Sequence, residues 1–132
     1  MIIEVEDRYC KVAKQFSRVL AAIEQAAERS DAVHEVEETT WFGLIEMGRE
    51  MIAGYIQKQE EEIPRPKVIE HEGKKLHRLP ERRVRPYVSA FGPTPFRRDV
   101  YAARETQRQE VVPLDAKLGI GPSPQTEARG RP

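Results

Sequence analysis

Arginine and aromatic side chains are interleaved along residues 82–101. Arginines neutralise phosphate groups and reach the edges of bases, and a two-stranded ribbon fits the major groove of duplex DNA. The segment is therefore a candidate DNA-binding hairpin, and its predicted contact residues are Arg82, Arg83, Arg85, Arg97, Arg98 and Tyr101. The alternative is a solvated strand face whose aromatic residues form a core.

No set of residues predicts catalysis or a bound cofactor. Cys10 is the single cysteine, and the three histidines are scattered without a second pair of ligands, so no zinc motif is present. The glutamates at positions 35, 37 and 38 come at the start of a predicted helix, where acidic side chains interact favourably with the helix dipole. We therefore expect no catalytic residues, no metal site and no cofactor, and a protein that is not an enzyme.

The formal net charge of zero conceals a strong asymmetry along the chain. Residues 1–63 contain 14 acidic and 7 basic side chains, whereas residues 64–109 contain 5 acidic and 12 basic ones. This separation is typical of a polyanion-binding segment beside an acidic one. The alternative is that the two parts attract each other within the fold.

The remaining composition favours a soluble protein of the cytoplasm. One cysteine excludes an internal disulfide. No apolar run reaches the roughly 18 residues that a membrane span requires, and the N-terminus lacks the basic start of a signal peptide. We expect a cytoplasmic protein without a membrane partner, associated with the bacterial nucleoid.

Two long helices are predicted in the acidic half. Apolar residues recur at alternating spacings of 4 and 3 over residues 4–29, namely at Val5, Tyr9, Val12, Phe16, Val19, Ile23 and Ala26. A broad apolar stripe predicts a second helix over residues 32–60, which Pro64 and Pro66 end. The short link makes an antiparallel helical hairpin. Glycines at positions 43, 48 and 54 would let another helix approach closely or would mark a bend. The apolar stripe around Trp41 and Met47–Ile56 is either part of a core that the β part covers or the seam of a homodimer.

Short strands are predicted in the basic half. Gly73 marks a turn between short strands, and longer strands are predicted over Val84–Phe91 and Phe96–Ala103, joined by a turn at Gly92–Pro95. Val111 and Val112 suggest a third short strand. One helical turn follows Pro113 and ends at Gly119, with Asp115 as a predicted cap.

Two short motifs follow one another in this half. A Phe91-Gly92 turn leads into a basic strand that ends in Arg98-Asp-Val-Tyr101, and Pro113-Leu-Asp-Ala-Lys-Leu-Gly119 comes shortly after. This arrangement resembles the N-terminal part of insertion-sequence transposases of the ISKra type. The resemblance implies a role in DNA binding and assembly, with a ribonuclease-H-like catalytic domain downstream that we expect this chain to lack. The spacer between the motifs has no cysteine, so no zinc ribbon is expected there.

Together these patterns predict an α+β fold: a helical hairpin over residues 1–63, a basic β-rich unit over 64–120 and a disordered tail over 121–132. The predicted function is that of the DNA-binding and assembly region of a transposase-like protein, truncated before its catalytic centre and bound to duplex DNA. The alternative is a helical oligomerisation or protein-interaction module whose basic hairpin contacts its own acidic helices.

Overall fold

The computed structural model describes residues 7–103 and 111–121. Two long helices precede a series of short antiparallel strands, so the predicted α+β class is confirmed. The elements are a 3₁₀ turn Asp7–Tyr9, α1 Cys10–Arg29, α2 Val33–Glu61, β1 Val68–His71, β2 Lys74–Arg78, β3 Arg83–Arg85, β4 Val88–Ser89, β5 Gly92–Pro93, β6 Phe96–Arg98, β7 Tyr101–Ala102 and α3 Pro113–Lys117.

The chain divides into two units, each built from two segments. The helical unit comprises Met1–Tyr55 and Val88–Thr94, and the β-rich unit comprises Ile56–Tyr87 and Pro95–Pro132. The sequence placed a boundary at residue 63, whereas in the structure the division falls inside the continuous helix α2. The β4–β5 pair also groups with the helices. The predicted tail lies outside the described residues from position 122 onward.

The helical unit is an antiparallel pair of helices held close by glycines. Ser30 ends α1 in the left-handed conformation, with φ of 55°, and its backbone N–H donates to the carbonyl of Ala27. A Cβ atom at Gly43 would collide with Val19 of α1, and one at Gly54 would collide with Tyr9. The predicted close approach is thus confirmed, because these positions leave room for side chains of the neighbouring segment.

The β-rich unit contains a three-stranded antiparallel sheet in the order β1–β2–β7. His71 pairs with Lys74, so the loop between β1 and β2 is the two residues Glu72 and Gly73. Both have positive φ, 51° and 76°, which is the geometry of a hairpin turn whose twist matches its strands. The turn predicted at Gly73 is therefore confirmed. The most deeply buried apolar residues here are Leu76, Val100, Tyr101, Ala102 and Leu114.

The two longer predicted strands are each divided. The segment from 84 to 91 forms β3 and β4, and the segment from 96 to 103 forms β6 and β7. The turn predicted at Gly92–Pro95 is wrong, because Ser89 pairs with Gly92 and the connecting residues are Ala90 and Phe91. Gly92 and Pro93 instead form β5, and the hydroxyl of Ser89 supports the turn by donating to the Gly92 carbonyl.

The Pro-Leu-Asp motif forms the short helix that its spacing predicts. Pro113 occupies the first turn of α3, and Gly119 follows the helix with φ of 73°. Val111 pairs with Tyr101 through a single β-bridge, so the predicted third strand is reduced to one residue. Within the described part of the chain, no helix has both the length and the apolar composition to cross a membrane.

Candidate nucleic-acid interface

The pairing of β3 with β6 assigns the hairpin arginines to opposite faces. Arg83 pairs with Arg98, Val84 with Arg97, and Arg85 with Phe96. Paired residues project to the same side of a ladder and successive residues to opposite sides. Arg83, Arg85 and Arg98 therefore share one face, whereas Arg97 lies on the other beside Val84.

A buried cluster of two arginines and one aspartate lies on the first of these faces. Arg85 Nη1 donates to Asp115 Oδ2 at 3.0 Å, and Arg98 Nε donates to Asp115 Oδ1 at 3.3 Å. Arg98 is 1% exposed, and Arg85 and Asp115 are each 6% exposed. Carbonyl oxygens of Arg83 and Gly121 accept further hydrogen bonds from Arg98 and Arg85, respectively. The cluster contains two buried guanidinium groups and one carboxylate. The carbonyl oxygens therefore stabilise the positive charge that Asp115 does not balance.

Asp115 therefore has a different role from the one its position predicts. It lies in the first turn of α3, but no side chain forms a cap hydrogen bond at the N-terminus of this helix. Both carboxylate oxygens instead accept hydrogen bonds from the hairpin arginines. The capping prediction is wrong because two buried guanidinium groups require a negative charge more than the end of a five-residue helix does.

A second ionic cluster surrounds Asp99. Arg65 Nε donates to Asp99 Oδ2 at 2.6 Å and Arg65 Nη2 to Oδ1 at 3.1 Å, a bidentate pair. Arg82 lies 3.6 Å from the same carboxylate and also forms an ion pair with Glu60 of α2. Burial acts to raise the pKa of Asp99, but the hydrogen bond from Arg65 and the nearby arginine charges outweigh it and hold that pKa below its ordinary value.

Tyr101 is buried in the β-rich unit and does not lie at the surface. Its hydroxyl donates to the carbonyl oxygen of Pro66 at 2.6 Å, and the residue is 1% exposed. Burial, together with the charge of Asp99, raises the pKa of this phenol. Tyr101 thus connects β7 to the segment that follows α2, and a base cannot stack on its ring in this conformation.

Among the six predicted contact residues, Arg97 is the one whose side chain is exposed, and it has no partner among the described residues. Arg83 is half-buried, and its carbonyl oxygen accepts a hydrogen bond from Arg98. Arg82, Arg85, Arg98 and Tyr101 are engaged in contacts within the β-rich unit. The structure thus brings the predicted residues together mainly as an internal network.

Other cations of the β-rich unit are exposed at positions that the sequence did not single out as contacts. Lys74 and Lys75 start β2 directly after the Glu72-Gly73 turn, and Lys67 precedes β1. Together with Arg97 they are called the exposed cation set here. Arg65 and Lys117 are also exposed but pair with Asp99 and Glu62, and the exposed Lys58 lies on α2. The sequence feature that could have indicated the exposed cation set is the lysine pair beside a predicted turn, because the end of a hairpin projects into solvent.

The described residues contain no grouping of three or more His, Cys, Asp or Glu side chains that is arranged to hold a metal ion. In comparisons with protein-family models, with curated protein sequences and with solved structures, no match to this chain is found.

Proposed function

We propose that this chain is a DNA-binding and assembly region of an ISKra-like transposase, acting in DNA transposition without a catalytic centre of its own. One observation supports the proposal most directly. The arginine-rich hairpin and the Pro-Leu-Asp motif, on which the resemblance depends, meet in the buried cluster of Arg85, Arg98 and Asp115. The two motifs therefore have a structural reason to occur together, because neither charge is stable in the interior without the other.

The proposed DNA contact uses the exposed cation set and not the buried arginines. Lys67, Lys74, Lys75 and Arg97 are exposed, whereas Arg85 and Arg98 already donate to Asp115. Exposed cations neutralise phosphates without first breaking an internal ion pair. The buried arginines then act indirectly, by holding the hairpin and α3 in one arrangement.

One contact favours the second candidate function, a protein-interaction or oligomerisation module. Arg82 forms an ion pair with Glu60 in the last turn of α2, so one basic residue of the predicted interface is paired with an acidic residue of the helices. If the other basic residues serve the same purpose, their removal lowers stability and leaves DNA affinity unchanged.

A DNA titration at several salt concentrations separates the two candidates. Replacing Lys74, Lys75 and Arg97 together with Ala is expected to weaken duplex binding. Each lost phosphate contact makes the log–log salt dependence shallower by about 0.9, so three contacts correspond to a change of about 2 to 3. The matched control replaces Lys11, Lys14 and Arg18 of α1, three exposed cations of the helical unit.

The control variant is expected to retain the affinity and salt slope of the wild type. Equal losses in both triple variants would show a charge effect without a defined surface. Absence of duplex binding by the wild type at low salt, with a lowered melting temperature for the Lys74, Lys75 and Arg97 variant, would contradict the proposal and favour the interaction module.

A further inference from the structure

A stripe of large apolar side chains lies exposed along α2. Trp41, Leu44, Met51 and Tyr55 are 62%, 53%, 46% and 48% exposed. Their spacing is that of a heptad seam with Gly48 at its centre. Phe91, in the turn between β4 and β5, packs on Gly48 and is itself 36% exposed, so an aromatic ring fills the gap in the stripe.

Two further apolar residues of α1 extend this stripe across the helical unit. Val19 of α1 faces Gly43 of α2. Leu20 follows Val19 by one residue, and Leu44 follows Gly43 by one residue. In an antiparallel helix pair such positions project to the same flank. Phe16 lies one turn before Leu20, and both side chains are about half exposed. The apolar flank is thus composed of Phe16, Leu20, Trp41, Leu44, Met51 and Tyr55.

The opposite flank of the same helix pair is charged. Arg18 precedes Val19 by one residue and lines a groove of about 370 Å³ together with charged residues of both helices. The charged members of this groove are Lys11, Lys14, Arg18, Glu46, Arg49 and Glu50. The contrast between the two flanks is that of a surface helix pair with one solvated side and one side built for contact.

The area of the apolar flank is suited to a protein interface. Aromatic side chains bury roughly 150–250 Å² each, and six large side chains of about that size at half exposure present roughly 450–750 Å². The largest patch on a typical monomer is about 300–600 Å² and is often functional. A stable interface buries about 800 Å² per partner, including a polar rim. The flank supplies most of that area.

We propose that the occupant of the apolar flank is a second copy of this chain, bound antiparallel about a two-fold axis near Gly48. Along α2 the seam is symmetric in character and within one residue of symmetric in spacing about Gly48, since it reads Glu37, Trp41, Leu44, Gly48, Met51, Tyr55 and Lys58. The two-fold axis places Trp41 opposite Tyr55 of the second copy and Leu44 opposite Met51. At each end it places the exposed Glu37 opposite the exposed Lys58. In an isologous interface the same surface of both copies meets about a two-fold axis. An antiparallel stripe must therefore be complementary to itself when its direction is reversed.

This inference does not depend on DNA binding, and the mass of the full-length chain in solution tests it. The wild type is expected to have twice the 15.2 kDa of one chain at tens of micromolar. Trp41→Ser is expected to give a monomer with unchanged helical circular dichroism, because Trp41 is exposed and is not part of the core. Phe42→Ser is the matched control. Phe42 is the aromatic residue next to Trp41 and is 58% exposed, but it precedes Gly43 and so lies on the charged flank. This variant is expected to remain dimeric.

A charge exchange identifies the partner as a second copy. Glu37→Lys and Lys58→Glu each place like charges at both ends of the seam, and each is expected to weaken the dimer by about tenfold. The double variant restores both pairs, and its dissociation constant is expected to return to within about threefold of the wild type. A helical wild-type monomer, equal effects of Trp41→Ser and Phe42→Ser, or a double variant weaker than either single one would each overturn the proposal.

Discussion

At the scale of single residues, the side chains with the strongest charge are the ones that the fold encloses. Arg98 has five donor groups and a fixed positive charge, and its sequence context of aromatic residues and a second arginine suggests a phosphate contact. In the structure it is 1% exposed and donates to Asp115. A guanidinium group is enclosed only where a carboxylate and carbonyl oxygens replace its hydration. The burial of Arg98 therefore depends on Asp115, 17 positions away in sequence.

Replacing Asp115 with Asn tests this dependence. The variant retains the size of the side chain but leaves two buried arginines without a negative charge, so the free energy of unfolding is expected to fall by about 3–5 kcal/mol. Urea denaturation measures the change. Asp31→Asn is the control, because Asp31 pairs with Arg29 at the surface and its loss is expected to leave the midpoint almost unchanged. A midpoint for the Asp115 variant equal to that of the wild type would contradict the role of the cluster.

Asp99 predicts a defined dependence of stability on pH. Its pKa is below its ordinary value of about 3.9 in the folded chain, so the folded state binds the proton more weakly than the unfolded one. The stabilisation is present above about pH 5 and is lost as the pH falls through the lowered pKa. Asp99→Asn is expected to be less stable than the wild type at pH 7, with the two curves converging at low pH.

Urea midpoints measured from pH 7 down to about pH 2 check the expectation for Asp99. Glu38→Gln is the control, since Glu38 is exposed on α2, and its curve is expected to follow that of the wild type. A constant difference between Asp99→Asn and the wild type across the whole pH range would show that the carboxylate contributes size or packing and not charge.

At the scale of elements, the glycines of α2 decide what packs against the helix. A glycine in a helix interior costs about 1 kcal/mol relative to alanine, so a helix with glycines at 43, 48 and 54 gives up intrinsic stability. In the structure a side chain from another segment packs on each glycine: Val19 on Gly43, Phe91 on Gly48 and Tyr9 on Gly54. At these three positions tertiary packing offsets the low helix propensity of glycine.

A double-mutant cycle at Gly48 and Phe91 measures that exchange. In the wild-type background, Gly48→Ala is expected to destabilise, because the added methyl collides with the Phe91 ring and overpacking costs about 1–3 kcal/mol. In a Phe91→Ala background the collision is absent, so the same change is expected to stabilise by up to about 1 kcal/mol. Unfolding at one fixed protein concentration gives both values, and equal effects of Gly48→Ala in the two backgrounds would contradict the contact.

At the scale of the whole molecule, formal charge is a poor guide to the charge that a partner encounters. The basic half of the sequence has 12 arginines and lysines, yet several of them pair with acidic residues inside the β-rich unit. Arg85 and Arg98 share Asp115, and Arg65 and Arg82 share Asp99. The field available for steering a polyanion is therefore that of the exposed cation set, Lys67, Lys74, Lys75 and Arg97. The titration proposed above concerns these exposed residues for that reason.

The local elements of this protein can be predicted from its amino-acid sequence. Helices α1 and α2, the turn at Gly73 and the stop of α3 at Gly119 follow from periodicity and from glycine and proline positions, which act over a few residues. The turn at Ala90–Phe91 escaped this reasoning because Gly92 and Pro93 are the usual turn residues, yet cross-strand pairing with Val88 and Ser89 includes them in β5.

Long-range packing, in contrast, fixes which arginines are buried and which flank of the helices remains exposed. Arg85 lies 30 positions from Asp115 in sequence, and no local pattern reports that their side chains meet. The same holds for Gly48, whose partner Phe91 comes from a distant turn. Both cases have the same cause: burial of a charge or a ring depends on which distant residues pack beside it, whereas secondary structure depends mainly on neighbours along the chain.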